Sequence, residues 1–309
     1  MLHSARLIGG ASMEGLCRLC NRSAILQHSH ILPAFVFRWL KQDGFIRHSA
    51  QIDKRVQDGA KEYWLCSDCE GLFNGWETQF ANKIFNPISY DGKLPTISYG
   101  EWLLKFCASV SWRSLLYTRE QAKFTYFSER QLALVDKALD TWASFLRAEL
   151  PHPAEFQQHL IPFGAIDASN VIDFPPNIHR YLLRAVEINA GSGGETAFIF
   201  SKLGRLGILG FIDLRRPEHW VGTRIKLRGG MIRPTRFVLP IQFGRYLADR
   251  AQRTWDALEQ LSDFQVQKID ATVRKNIDRY ANSQLFEATQ KDVALFGNAA
   301  FRKPKARNP

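Results

Sequence analysis

Two cysteine pairs carry the plainest chemistry in this sequence, Cys17-Arg18-Leu19-Cys20 and Cys66-Ser67-Asp68-Cys69. Thiolates two residues apart can both reach one tetrahedral ion, and two such pairs complete a four-thiolate shell. The spacing predicts a zinc site on Cys17, Cys20, Cys66 and Cys69. Four sulfurs leave no open coordination position, so this zinc would hold structure and do no chemistry. The competing readings are redox pairs or unrelated buried thiols, but nothing around Cys17 has the strand setting of a thioredoxin-like motif. Cys107 stands alone. Between the pairs lies His30, in Ser29-His30-Ile31-Leu32-Pro33. A neutral imidazole is suited to accept a proton near pH 7. After Cys69, Glu70, Asn74 and Glu77 fall at i, i+4 and i+7 and share one helix face, opposite Phe73, Trp76 and Phe80. Each has a plainer alternative: His30 as a core histidine before the Pro33 helix, Glu70 as a first-turn carboxylate favoured by the helix dipole, His28 and Glu77 as surface residues.

These residues need elements that bring them together. Residues 13–30 read as a zinc knuckle and a loop. Pro33 suits the first turn of a helix whose apolar stripe is Phe35, Val36, Trp39 and Leu40. Phe45 to Ile52 reads as a strand, Asp58-Gly59 as a hairpin turn and Glu62 to Leu65 as the returning strand. A helix from about Asp68 follows, with Leu72, Phe73, Trp76, Phe80 and Ile84 on its apolar face, ending before Pro87. Residues 86–98 read as a linker with a short strand. Helices are expected over Glu101–Tyr117 and Arg130–Leu150, and strands at Leu160–Ile166, Leu182–Asn189, Thr196–Ser201, Leu206–Leu214 and Thr223–Leu227. Helical segments are expected from Gln242 to about Leu295.

Taken together, Cys17-x-x-Cys20, Ser29-His30-Ile31-Leu32-Pro33 and Leu65-Cys66-x-x-Cys69-Glu70 resemble the HNH, or His-Me finger, endonucleases with a treble-clef zinc. The resemblance covers about residues 15–85. It implies that His30 is the general base activating water and that Glu70 is a ligand of one divalent ion, Mg2+ or Mn2+, with help from Asn74 or Glu77. Ser29 stands where that family carries an acidic ligand. An asparagine that usually orients the histidine has no clear counterpart; Gln57 and Asp58 are the candidates. Phosphodiester cleavage needs a base for water and a cation for the developing charge, which this set would supply. The resemblance implies a metal-dependent endonuclease, in a setting such as phage defence or mobile DNA. The alternative is a non-catalytic zinc module binding nucleic acid or a protein partner.

The expected fold class is α+β: a treble-clef/ββα zinc module followed by a larger mixed α+β domain. Its expected segments are a disordered extension at 1–12, the module at 13–98, a domain of no recognised family at 99–301 and a basic disordered tail at 302–309. A protein partner would be engaged through the second domain. The formal charge of +11 favours polyanionic partners, nucleic acid first, with DNA favoured over RNA. Arg18, Arg22, Arg38, Lys41, Arg47, Lys54 and Arg55 make the module basic. Arg215-Arg216, Arg224-Ile225-Lys226-Leu227-Arg228 and Arg233-Pro234-Thr235-Arg236 do the same further on, interleaved with Trp220 and Phe237, where they form either a nucleic-acid surface or a solvated sheet face. No apolar run reaches the roughly 18 residues of a membrane span, and no secretory signal opens the chain, so a cytoplasmic location is expected.

Overall fold

The computed structural model describes residues 6–8, 12–43, 46–48, 51–56, 58–91, 95–167, 171–233 and 237–301. The fold is mixed α+β, as expected, but its two compact units are interleaved along the chain. The first gathers Met1–Val36, Gly59–Pro162 and Val186–Val238; the second gathers Phe37–Asp58, Phe163–Ala185 and Leu239–Pro309.

The strands are β1 (Arg6–Ile8), β2 (Ser12–Leu16), β3 (Ser23–His30), β4 (Ile46–His48), β5 (Gln51–Val56), β6 (Lys61–Cys66), β7 (Ile97–Tyr99), β8 (Gln158–Pro162), β9 (Val186–Gly193), β10 (Thr196–Leu203), β11 (Leu206–Leu214) and β12 (Gly230–Ile232). The helices are α1 (Ala34–Leu40), α2 (Ser67–Phe80), α3 (Asn86–Asp91), α4 (Trp102–Glu120), α5 (Glu129–Leu146), α6 (Ile178–Arg184), α7 (Ile241–Glu259), α8 (Asp263–Lys275), α9 (Ile277–Ala281) and α10 (Gln284–Phe296).

In the first unit an antiparallel sheet runs in the order β1-β2-β3-β6 and feeds directly into α2. Knuckle, antiparallel strands and helix follow in the order expected of a ββα zinc module. A second antiparallel sheet runs β8-β11-β10-β9. Helix α4 joins the two layers. It is buried nearly all round, from Leu103 to Leu115, and such a helix belongs in a core. Phe80 of α2 stacks on Phe106 of α4 at 3.9 Å, and Phe73 meets Trp112 edge-on at 6.2 Å. On its other side Ser114 meets Ser201 of β10 at 2.8 Å. Gly210 of β11 lies under Ser111 and Trp142, where an added Cβ would come within 2.6 Å of Ser111 Oγ. The expected boundary at residue 98 therefore falls inside this unit, because the apolar face of α2 packs on α4 through Phe80 and Phe73.

The second unit is mainly helical, with the β4–β5 ribbon. Asp292 on α10 is fully buried and accepts from the backbone N–H of His179 at 2.7 Å and from Arg180 Nε at 2.7 Å. Arg180 in turn lies over Trp255, and Arg184 over Trp39. Asn177 donates to the Ala251 carbonyl at 2.9 Å, tying the start of α6 to α7.

Several local expectations need correction. Residues 23–30 form a strand, not a loop: β2 pairs with Ser23–Leu26 and β6 with Leu26–His30, and Leu26 and Ser29 are buried on opposite faces. Arg6–Ile8 belongs to a strand on β2, so the whole of 1–12 is not a disordered extension; residues 1–5 and 9–11 lie outside the described residues. The single strand expected at Phe45–Ile52 is the β4–β5 ribbon, with residues 44–45 and 49–50 outside the description. Asp58-Gly59 does not close a hairpin: β6 pairs with β3, not with β5. Pro87 does not end the helical run, because a wide turn over Ala81–Phe85 lets it enter the first turn of α3, where no N–H is needed. Residues 178–184 are helix, and the strand begins only at Val186. The tail 302–309 lies outside the described residues.

Candidate metal centre and adjoining polar cluster

Strand β2 delivers Cys17 into a tight knuckle. The Arg22 carbonyl accepts from Cys17 N at 2.9 Å, and the Cys17 carbonyl accepts from Asn21 N at 2.8 Å. Asn21 takes φ of 58°, a left-handed conformation that asparagine tolerates better than most residues. Arg18 N donates to the Trp64 carbonyl at 2.7 Å, which docks the knuckle against β6. β6 ends at Cys66, the N-cap of α2, and Cys69 sits in the first turn of that helix. The two pairs are thus brought together by a strand end and a helix start.

The four sulfurs lie within 4.8 Å of one another, with Cys20 Sγ and Cys66 Sγ at 3.8 Å. A tetrahedral zinc with bonds near 2.3 Å places its sulfurs about 3.8 Å apart, so the set could hold a zinc ion. The electrostatics agree. Cys17, Cys66 and Cys69 are buried, and burial pushes the Cys17 and Cys69 thiols up. Cys20 is lowered to about 6: burial opposes this, but the Arg22 guanidinium and the neighbouring thiols outweigh it. Crowded thiols cannot all ionise unless a cation compensates them, which is what a divalent ion supplies.

Around the sulfurs the first unit adds groups that spacing alone did not reveal. Arg22 Nε faces Cys20 Sγ at 3.4 Å and is held by Asp68 at 3.0 Å. Arg147 at the end of α5 donates to the Leu19 carbonyl at 2.5 Å, and Arg18 pairs with Glu120 of α4 at 2.7 Å. The helical layer therefore grips the knuckle from outside the 15–85 segment.

Beside the sulfurs, β3 and α2 form a polar cluster. Ser29 Oγ donates to Glu70 Oε2 at 2.6 Å, and Ser29 is buried. Ser29 and Glu70, 41 residues apart in the chain, are thus brought into contact. His30 follows at the strand end, half-buried and paired with Lys61 in register. Its carbonyl accepts from Arg113 NH1 at 3.0 Å, and the same guanidinium donates through NH2 to Glu77 Oε1 at 2.7 Å. Arg113 is only 2% exposed and lies over the Phe73 ring at 5.1 Å. So Glu77 comes close to the His30 backbone, but its carboxylate faces Arg113 and not the Ser29–Glu70 pair. Seven residues of helix separate Glu70 from Glu77, a rise of about 10 Å. Asn74 is exposed. His28 stacks on Tyr63 at 4.6 Å. Gln57 lies outside the described residues, and Asp58 opens the approach to β6.

The basic residues named from sequence divide between the units. Arg18 and Arg22 belong to the first and are ion-paired, while Arg38 and Lys41 belong to the second. Arg47, Lys54 and Arg55 lie on the β4–β5 ribbon, also in the second unit. Cys107 is fully buried in α4, and burial pushes its thiol up, so it offers no ligand. Among the described residues no helix is long and apolar enough to cross a membrane. Compared with known proteins, the chain matches no protein-family model, no curated protein and no solved structure.

Proposed function

We propose that the first unit is a zinc-braced, HNH-type endonuclease module that hydrolyses phosphodiesters in nucleic acid. In this reading the four cysteines hold a structural zinc, His30 takes the proton of the attacking water, and Glu70 with Ser29 binds one magnesium or manganese ion. The observation that carries it is the 2.6 Å contact between Ser29 Oγ and Glu70 Oε2. It supports a single oxygen-donor pocket at the end of the strand that carries His30, next to a zinc site of the expected geometry. A carboxylate and a hydroxyl are hard donors of the kind magnesium accepts, with water and substrate phosphate completing the shell. When bound, that ion would offset charge on the phosphate oxygens. Arg113 fixes the His30 peptide against α2, so the base is carried on a rigid element.

A second reading is favoured by one observation. Glu77 is committed to Arg113, and Ser29 is a weaker ligand than a carboxylate, which suits a module that binds nucleic acid without cutting it. Ser29→Asp separates the two. In an enzyme limited by weak metal binding, this variant lowers the magnesium concentration needed for half-maximal cleavage. Glu70→Ala reduces cleavage, and excess manganese partly restores it by mass action. If neither wild type nor Ser29→Asp cuts DNA or RNA with either metal while both bind it, the binding-module reading replaces this one.

A further inference from the structure

From Trp220 to Arg233 the chain carries four cations, Arg224, Lys226, Arg228 and Arg233, and no Asp or Glu. This stretch belongs to the first unit. Its beginning is laid along β8: Leu160 N donates to the Thr223 carbonyl at 2.9 Å, Ile225 N donates to the Gln158 carbonyl at 2.9 Å, and His159 opposes Arg224. From Thr223 to Lys226 the extended backbone alternates its side chains, and the chain then turns at Leu227–Arg228. Thr223 and Ile225 are 2% and 4% exposed, whereas Arg224, Lys226 and Arg228 point to solvent. Arg224 and Lys226, two residues apart on extended chain, stand about 6.6 Å from one another.

The row is held at both ends. Thr223 Oγ1 meets His159 Nδ1 at 2.8 Å inside the core. Lys226 N donates to Tyr99 Oη at 3.2 Å, and β12 pairs with β7 through Gly230 and Tyr99. Gly229 makes the bend with φ of 99°, in a place where a Cβ would come within 2.4 Å of the Tyr99 carbonyl. A row fixed in this way loses little conformational freedom of its backbone when a partner binds.

What sets these cations apart is that they are uncommitted. A groove of about 530 Å³ beside the knuckle also presents three arginines, yet each faces a carboxylate: Arg18 with Glu120 at 2.7 Å, Arg119 with Asp136 at 2.6 Å and Arg147 with Glu149 at 2.5 Å. Among the described residues, Arg224, Lys226, Arg228 and Arg233 make no ion pair. Trp220 is 5% exposed and packs on Phe211, and Tyr99 is half-buried with its hydroxyl on Lys226 N, so neither gives the row an open stacking platform.

We propose that Arg224, Lys226, Arg228 and Arg233 form a backbone-binding strip that grips the phosphates of nucleic acid without reading its bases. The inference rests on the endonuclease reading only for the identity of the polyanion. The test is binding of a fluorescent 30-base-pair DNA duplex, without divalent metal, from about 50 to 300 mM salt, by wild type and by the triple variant Arg224→Gln/Lys226→Gln/Arg228→Gln. Each phosphate contact adds about 0.9 to the slope of log K against log salt, so the triple variant should lose about 2.7 of slope. Two duplexes of unrelated sequence should bind equally, since phosphate contacts carry no sequence information. Circular dichroism and zinc content should match wild type, because all three side chains are exposed. A triple variant with wild-type slope overturns the strip and leaves the endonuclease reading standing. Strong dependence on base sequence, or binding to anionic lipid vesicles with none to DNA, also overturns it. Failure of wild type itself to bind either duplex also overturns the strip, while the endonuclease reading, which admits RNA, is decided by cleavage.

Discussion

Arg113→Met tests whether the polar cluster is held as described. The guanidinium is 2% exposed, donates to Glu77 at 2.7 Å, to the His30 carbonyl at 3.0 Å and to the Ser109 carbonyl at 3.3 Å, and covers the Phe73 ring. Methionine replaces much of the volume but leaves the Glu77 carboxylate, 17% exposed, without its cation and two carbonyls without a donor. Breaking a buried pair from one side costs about 3–5 kcal/mol, most of it the charge left behind. Glu77→Gln removes that charge from the other side and keeps an acceptor for Arg113. The double variant Arg113→Met/Glu77→Gln should therefore be more stable than Arg113→Met alone. The assay is urea unfolding of the zinc-loaded protein, followed by tryptophan fluorescence, with the four species forming a double-mutant cycle. A coupling of at least about 1 kcal/mol is expected for groups in one network. If Arg113→Met costs under about 1 kcal/mol with an unchanged denaturant slope, the pair is not the clamp inferred here. An additive double variant would lead to the same conclusion.

Three further outcomes follow from the same geometry. Purified protein should carry about one zinc per chain by elemental analysis, and Cys66→Ser should lower zinc content and destabilise the first unit, since such sites contribute on the order of 10 kcal/mol to small zinc folds. His159 is held neutral by burial, and secondarily by the nearby Arg224 charge, with its pKa lowered to about 3. Above the unfolded-state pKa near 6.5 both states are neutral and the group has no effect. As pH falls from about 6.5 towards 3 the unfolded chain takes a proton that the folded one refuses, so stability falls by up to about 1.4 kcal/mol per pH unit. His159→Asn should flatten that acid limb in pH-dependent unfolding; an unchanged limb would mean that other groups set it. Gly210→Val should be strongly destabilising, because its first carbon already meets buried Ser111 of α4 and buried Trp142 of α5 inside 3 Å; a normal melting temperature would contradict the packing of α4 and α5 on β11.

What sequence could disclose divides along physical lines. The four-cysteine cluster, which could hold a zinc ion, was legible because coordination geometry forces a spacing; the contact of Glu70 with Ser29 was not, since 41 residues separate them. Helices α4 and α5 were legible from apolar periodicity. Strand β3 was not: Gln27, His28, Ser29 and His30 are polar, and what makes them a strand is pairing with the distant β6. Arg113 was hidden for another reason. It lies 83 residues from His30, among apolar neighbours on α4, and nothing local marks a buried arginine as a clamp for a distant strand. The interleaving of the two units was equally silent, since periodicity reports which face is buried and not which element buries it. The cationic row at 224–233 was visible as composition, but its exposure, and its lack of carboxylate partners among the described residues, needed the fold.

The most direct test of the endonuclease assignment is single-turnover cleavage by wild type and His30→Ala, each with full zinc content, on supercoiled plasmid and on single-stranded RNA, with magnesium or manganese. The account predicts metal-dependent nicking by wild type and a loss of roughly two to four orders of magnitude in His30→Ala, the usual range for a missing general base, with folding and zinc unchanged. Equal rates for the two proteins would remove His30 from the chemistry, and no cleavage of either substrate by wild type would contradict the assignment.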